Sequence, residues 1–291
     1  MAAMMSFDLD DTGKIDLSAI YDQADPRPFY QTLSKLDYQI PDVAAPLFRA
    51  VLEARRKSRQ RQQAKIIDIG SSYGVNSAIL RHGTELSDLI QMYSRETTSD
   101  LTRSQLVTRD RRMFSDLRAD KSLSTIGLDV AGEAVGYAEE VGIIDGSVTT
   151  NLEVQNPTIE DQEHLADADI AISTGAIGYV GVPTFSRILD CTRASPWFAL
   201  FTLRMFPVDA IAGELKRHDY LMYRLPGQSF LQRRFASKDE SQEVLSKLAE
   251  MGIDPTEHEA KGWYHAEFYF ARHAEETGPL PIQGLIPVTG A

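Results

Sequence analysis

The stretch KIIDIGSSYGVNSA, Lys65 to Ala78, decides the reading of this chain. It begins with apolar residues crowded around one acid, as in a strand buried on both faces. A loop of small residues follows, with Gly70, Ser72 and Gly74 spaced two apart and Asp68 two before the first. GVNSAILRHG then places Val75, Ala78 and Ile79 on one helical face, with Gly83 as a stop. Strand, small-residue turn and helix together open a strand–helix–strand unit. A turn of this kind lets backbone amides come close to a ligand.

The pattern repeats outward from this unit. Before it, AAPLFRAVLEARRKSRQRQQA reads as a helix with Leu47, Val51 and Leu52 on one side and a basic end. After it, STIGLDV is a second strand ending at Asp129, followed by the helix AGEAVGYAEEVG. SVTTNLEV is a third strand, ADIAIST (Ala168–Thr174) a fourth, and PWFALFTLRMF a fifth. A late helix, SQEVLSKLAEMG, is bracketed by the strand candidates YLMYRLPG and WYHAEFYFARH. Alternating strands and helices imply a doubly wound α/β fold, mostly parallel. The last strands lie in a helix-poor tail and are expected to add antiparallel.

Two segments stand outside this alternation. Residues 84–123 read as inserted helices, with Leu86, Leu89, Ile90 and Tyr93 at helical spacing. Seven basic residues fall between Arg95 and Lys121 in an otherwise acidic chain. Residues 1–15 read as a polar, mobile arm, and YDQADPRPFYQTLSKLDYQIPD (Tyr21–Asp42) precedes the main pattern. The expected organisation is an N-terminal lid, 1–44, and one domain, 45–291, with a helical insertion at 84–123.

The net charge of −12 and pI near 5.0 argue against a nucleic-acid backbone as partner. The single cysteine, Cys191, excludes an intrachain disulfide and fits a reducing cytoplasm. The start lacks a basic region followed by an apolar core, so no signal peptide is expected. No run approaches the roughly 18 apolar residues of a membrane span.

Two ligand classes use a small-residue turn after the first strand of such a sheet. A dinucleotide needs G-x-G-x-x-G. Starting at Gly70, that pattern meets Ser72 and then requires glycine where Val75 stands. The run Asp68-x-Gly70-x-Ser72-x-Gly74 instead resembles the cofactor loop of the class I S-adenosylmethionine-dependent methyltransferases, usually Asp/Glu-x-Gly-x-Gly-x-Gly. The resemblance covers about residues 45–275 and implies a Rossmann-like fold and S-adenosylmethionine as cofactor. It implies that Asp68 supports the cofactor's amino-acid moiety, directly or through water. It also implies that Gly70 and Gly74 allow close passage, with Ser71, Ser72, Tyr73 and Asn76 beside them. An acid ending the second strand takes both ribose hydroxyls in this family, and Asp129 sits there, followed by Val130; both hydroxyls can donate to a carboxylate. Gly74 and Asp129 lie 55 positions apart, against about twenty in the usual nucleotide-binding spacing, and the insertion accounts for the excess. Asn151 and Leu152 are candidates for the adenine edge. Ser173, Thr174, Gly175 and Tyr179 fall where the family touches the transferring methyl.

The acceptor is less marked. The Asn/Asp-Pro-Pro-Tyr/Phe signature of amino-methylating enzymes is replaced by STGAIG, and no carboxylate cluster of the metal-dependent catechol enzymes follows Asp169. His258 and His265 lack the spacing of a zinc site, so no metal is expected. Tyr21, Tyr30, Tyr73 and Tyr179 could wall a sulfonium through cation–π attraction. Arg204, ending the fifth strand, suits a substrate carboxylate bidentately; an ion pair with a nearby acid is the other reading. DPRPFYQTLSKLDYQIP, STGAIGYV and RLPGQSFLQRRF also resemble the bacterial methionine S-methyltransferases of dimethylsulfoniopropionate synthesis. That resemblance implies methionine as acceptor, a thioether that needs no general base. Other readings stay open: N- or O-methylation of another small metabolite, a non-catalytic adenosyl-cofactor binder, or a nicotinamide oxidoreductase, which Val75 disfavours. A homodimer is compatible with all of them.

Overall fold

Successive side chains of the first strand point to opposite faces, and each face meets its own core. In the computed structural model, which describes residues 9–276, Ile66 joins one apolar cluster while Ile67 and Ile69 join another. The same alternation holds where Ala199 and Phe201 face the first cluster and Phe198 and Leu200 the second. These are the two faces of one sheet, each covered by helices.

The strands are β1 (Ala64–Ile69), β2 (Leu123–Leu128), β3 (Gly146–Val148), β4 (Ile170–Ser173), β5 (Trp197–Leu203), β6 (Tyr220–Arg224), β7 (Phe230–Arg234) and β8 (Trp263–His273). Their order is β3-β2-β1-β4-β5-β8-β6, with β7 also on β8. β1 to β5 are parallel, and β8 runs antiparallel to β5, β6 and β7. This is the expected Rossmann-like sheet with an antiparallel addition. β1 lies between β2 and β4, so the order reverses beside it, the position where such folds bind ligands.

The helices are α1 (Ser18–Tyr21), α2 (Arg27–Lys35), α3 (Ile40–Arg59), α4 (Val75–His82), α5 (Leu86–Ser94), α6 (Glu96–Ser99), α7 (Arg103–Asp116), α8 (Gly132–Glu140), α9 (Ile159–Leu165), α10 (Val182–Cys191), α11 (Asp209–Arg217) and α12 (Lys238–Glu250). The inserted helices α5–α7 share the core of the sheet. The rings of Tyr93 on α5 and Tyr30 on α2 stack at 4.5 Å. The Tyr93 and Tyr137 hydroxyls both donate to buried Asp110 on α7, at 2.7 and 2.5 Å. Part of the basic run is neutralised there, Arg103 by Glu140 and Arg109 by Asp110.

Three expectations need correction. The third strand stops at Val148 rather than continuing through TNLEV. Thr150 donates to Asp161 and the Asn151 side chain accepts the Glu153 amide, so local side-chain bonds end the ladder. The tail is not helix-poor, because α11 precedes β6, and it holds β7 in addition. β6 and β7 lie along one edge of β8, separated by Leu225–Ser229. Finally, residues 9–15 of the expected mobile arm are packed: Lys14 and Ile15 are buried, and the Ile15 amide donates to Glu240 at 2.7 Å. The remainder of that arm, residues 1–8, and the end of the expected domain, residues 277–291, lie outside the described residues. No helix among the described residues is long and apolar enough to cross a membrane.

Candidate active site

The turn after β1 is forced into the left-handed region three times, at Gly70 (φ +77°), Ser72 (+47°) and Gly74 (+73°). Packing fixes the two glycines. A Cβ at Gly70 would stand 2.6 Å from the Ala176 Cβ, and one at Gly74 would stand 2.7 Å from Ile143 Cγ2. Ser72 adopts the same region without a glycine's freedom, at a cost of about 1–2 kcal/mol.

This turn forms one wall of a cavity of about 620 Å³. The carboxyl ends of β1, β2 and β4 and the loop after β3 build one side. The N-terminal segment and β7 complete its lining. Of the residues expected from sequence, Gly70, Ser71, Ser72, Asn76, Asp129, Val130, Asn151, Leu152, Thr174, Gly175, Tyr21 and Tyr179 line it.

Asp129 stands in the cavity wall with both oxygens directed by backbone. One accepts the Ser72 amide at 2.8 Å and the other the Ala131 amide at 3.0 Å. Burial raises its pKa, and those amides oppose the rise. A carboxylate oxygen offers more than one acceptor site, so capacity for a diol remains. Val130 beside it is 61% exposed, and Leu128 and Leu152 add apolar surface to the same cavity.

Asp68 does not line the cavity; it is fully buried behind it. It accepts from Asn76 Nδ2 at 2.9 Å, and that amide also donates to Thr174 Oγ1 at 3.1 Å, tying β1 to the end of β4. Burial pushes the Asp68 carboxyl up to about 7, partly opposed by the Asn76 bond. The Ser71 hydroxyl lies against the same carboxyl and opposes the rise as well, whereas three buried polar atoms here have no hydrogen-bond partner among the described residues: Ser72 Oγ, Asn76 Oδ1 and Gln232 Oε1. Buried polar atoms are ordinarily paired, so this cluster suits a polar ligand.

Other expected residues lie elsewhere. Gly74 shapes the turn from behind. Ser173 is buried, and its hydroxyl accepts the Ala176 amide at 3.2 Å. Tyr73 packs against Phe29, and its hydroxyl donates to the Gln23 carbonyl at 2.7 Å, fastening the N-terminal segment. Tyr30 is a core residue under Tyr93. Arg204 pairs with Glu259 at 2.7 Å and donates to the Asp254 carbonyl at 3.0 Å, in a separate smaller cavity with Phe206 and Glu267. It is therefore held by its own acid and does not reach the main cavity; the ion-pair reading is the one found.

The sequence reading missed Asp10, Lys14, Tyr38, Gln232 and Arg233, all of which line the cavity. Gln232 and Arg233 come from β7. Arg233 is bound by Glu240 at 2.7 and 3.0 Å and lies 4.7 Å over the Tyr264 ring. The late RLPGQSFLQRRF motif contained both residues without revealing the edge strand that aims them. Among the described residues, no group of three or more His, Cys, Asp or Glu could hold a metal.

No protein-family model matches the chain, and no curated protein does. Similar solved structures include the YcgJ protein from Bacillus subtilis, at 9% identity and TM-score 0.43, covering 78% of this chain and 98% of that one. The plantazolicin methyltransferase BpumL in complex with SAH is 11% identical at TM-score 0.40, with 88% of each chain covered. A TehB-like SAM-dependent methyltransferase from Corynebacterium glutamicum is 12% identical at TM-score 0.38, covering 76% and 86%. The narrower resemblance to methionine S-methyltransferases finds no support in these comparisons.

Proposed function

We propose that this chain is an S-adenosylmethionine-dependent methyltransferase acting on a small acceptor. The observation that carries the reading is Asp129. It is a carboxylate at the end of β2, fixed by two backbone amides and exposed to the cavity beside the left-handed turn of β1. Two adjacent ribose hydroxyls would donate to it, with the base over Val130 and Leu152. The unpartnered oxygens of Ser72 and Asn76 suit the cofactor's amino-acid end. The first helix after the turn begins with Val75, which speaks against a pyrophosphate-binding glycine pattern.

When bound, the cofactor supplies an electrophilic methyl group on a sulfonium. The chain's own contribution is to bind, align and exclude water. Residues 9–39 cover the cavity as a lid, fastened by Tyr73 to Gln23, by Glu240 to Ile15, and by Asp22 to the Glu133 amide at 2.8 Å. Tyr21, Tyr38 and Tyr179 supply aromatic surface on the acceptor side. Methionine is the first acceptor to try, since a thioether loses no proton on methylation; its carboxylate cannot be Arg204's.

Calorimetry with S-adenosylmethionine, S-adenosylhomocysteine and NADH tests the cofactor. Micromolar binding of either adenosyl compound is expected; tight NADH binding without an adenosyl response rules the proposal out. Methyl-labelled cofactor with a panel of amino acids, amines and phenols, read by mass, then tests turnover.

A further inference from the structure

Lys14 is 9% exposed, and its side chain belongs to the cavity wall. Among the described residues no hydrogen bond or ion pair reaches its ammonium; it faces the Tyr179 ring, with Nζ 4.9 Å from the centroid. The acids nearest to it are already engaged. Asp10 accepts the Tyr179 hydroxyl at 2.7 Å, the Thr12 hydroxyl at 2.6 Å and the Thr12 and Lys14 amides. Glu240 is committed to Arg233 and to the Ile15 and Ala236 amides. Arg233 adds a repulsive charge. A buried cation lacking a hydrogen-bonded counter-charge is costly, and a cation–π contact offsets only part of that cost. An anionic ligand group would complete the pair.

We propose that Lys14 is the anion-recognition residue of the methyl-acceptor subsite, and that the acceptor is a small organic molecule whose single carboxylate meets this ammonium. The inference rests on the methyltransferase reading for the word acceptor. Its physical basis, an unpaired buried cation facing a cavity, stands apart from that reading. The neighbours of Lys14 come from the segment after β4 (Tyr179), from β7 (Arg233) and from α12 (Glu240). Asp10, Asp16 and Asp22 also line the cavity, so a dianionic phosphate would meet more repulsion than a carboxylate. Gln232 lines the same cavity, and its Nε2 donates to the Thr174 carbonyl at 3.4 Å. Its Oε1 is buried without a partner, and its Nε2 would stand 2.5 Å from a Cβ at Gly175, which places this amide directly against the end of β4. It would accept from a hydroxyl or amine on the same molecule.

The test measures binding of matched acids and amides (benzoate and benzamide, hexanoate and hexanamide, methionine and methioninamide), with phenyl phosphate as the dianion. Wild type, Lys14→Met and Lys14→Arg are titrated at pH 7 with and without S-adenosylhomocysteine. At least one acid is expected to bind about tenfold or more tightly than its amide, the gain typical of a charge-assisted bond. That preference should vanish in Lys14→Met and largely persist in Lys14→Arg, with cofactor affinity within twofold throughout. Equal binding of acids and amides, no binding by any acid, or a phosphate preference overturns the proposal. So does a tenfold loss of S-adenosylhomocysteine affinity in Lys14→Met, which would assign the ammonium to the cofactor's own carboxylate. Failure of wild type to bind S-adenosylhomocysteine, with the acid preference intact, overturns the methyltransferase reading instead.

Discussion

Replacing Asp68 by Asn should make the ligand-free protein more stable at pH 8 than at pH 5, relative to wild type. Asp68 is fully buried, and its carboxyl is raised from 3.8 to about 7. The folded chain therefore holds a proton that the unfolded chain has lost. By linkage, stability falls as pH rises from the unfolded value through the folded one. Each pH unit between those two values is worth about 1.36 kcal/mol, so the full interval amounts to about 4 kcal/mol. A change from pH 5 to pH 8 crosses the upper part of that interval, roughly two pH units, or about 2–3 kcal/mol. Asn cannot titrate, keeps the shape, and still offers an oxygen to Asn76 Nδ2. Urea unfolding of both proteins at pH 5 and pH 8 gives a difference of differences in which other titrating groups largely cancel. The variant should gain about 2–3 kcal/mol on wild type between those pH values. A gain below about 0.5 kcal/mol would mean that Asp68 is solvated and titrates normally, refuting the argument from burial.

Asp129→Ala should weaken S-adenosylhomocysteine binding by about 2–3 kcal/mol in calorimetry. It should also lower folding stability by about 1–3 kcal/mol, because the Ser72 and Ala131 amides lose their acceptor. Asp110→Ala leaves the Tyr93 and Tyr137 hydroxyls buried without an acceptor, and chemical denaturation should show a loss of about 2–5 kcal/mol. Arg204→Lys should change the acceptor's KM less than about twofold in steady-state kinetics, because the Glu259 ion pair, not a ligand, occupies its fork.

What the sequence disclosed follows from local physics. Lys65–Ala78 carries its strand, turn and helix within one window, and the period of two, then 3.6, is visible without any partner. Asp129 was legible because the alternation resumes intact after α7, which marks residues 84–123 as an insertion. What stayed hidden depends on contacts between distant segments. Arg204 was correctly set at a strand end, but Glu259 lies 55 residues away, and nothing local announces that it captures the guanidinium. β7 escaped notice because its run, FLQRR, reads as polar; it sits on the edge of β8, where one neighbour suffices. Lys14 lies in a stretch whose polarity suggested a mobile arm. Its burial depends on Ile15 docking on α12, a contact made by a residue 225 positions away.

The N-terminal segment and β7 are joined through one carboxylate. Glu240 on α12 accepts the Ile15 amide from the N-terminal segment and both Arg233 nitrogens from β7. Its pKa is lowered despite burial, held down by Arg233 and by the Ile15 and Ala236 amides. It therefore remains charged across the neutral range. The segment that carries Lys14 is thus docked by the same group that neutralises the neighbouring arginine. If Glu240 bonded only the lid, Arg233 would stand as a second unpaired cation beside Lys14, and the subsite would favour a dianion. Because it bonds both, one cation remains uncompensated, and its position is fixed by a backbone amide one residue away. Removing the Glu240 carboxylate, by contrast, would release the Ile15 amide and Arg233 together.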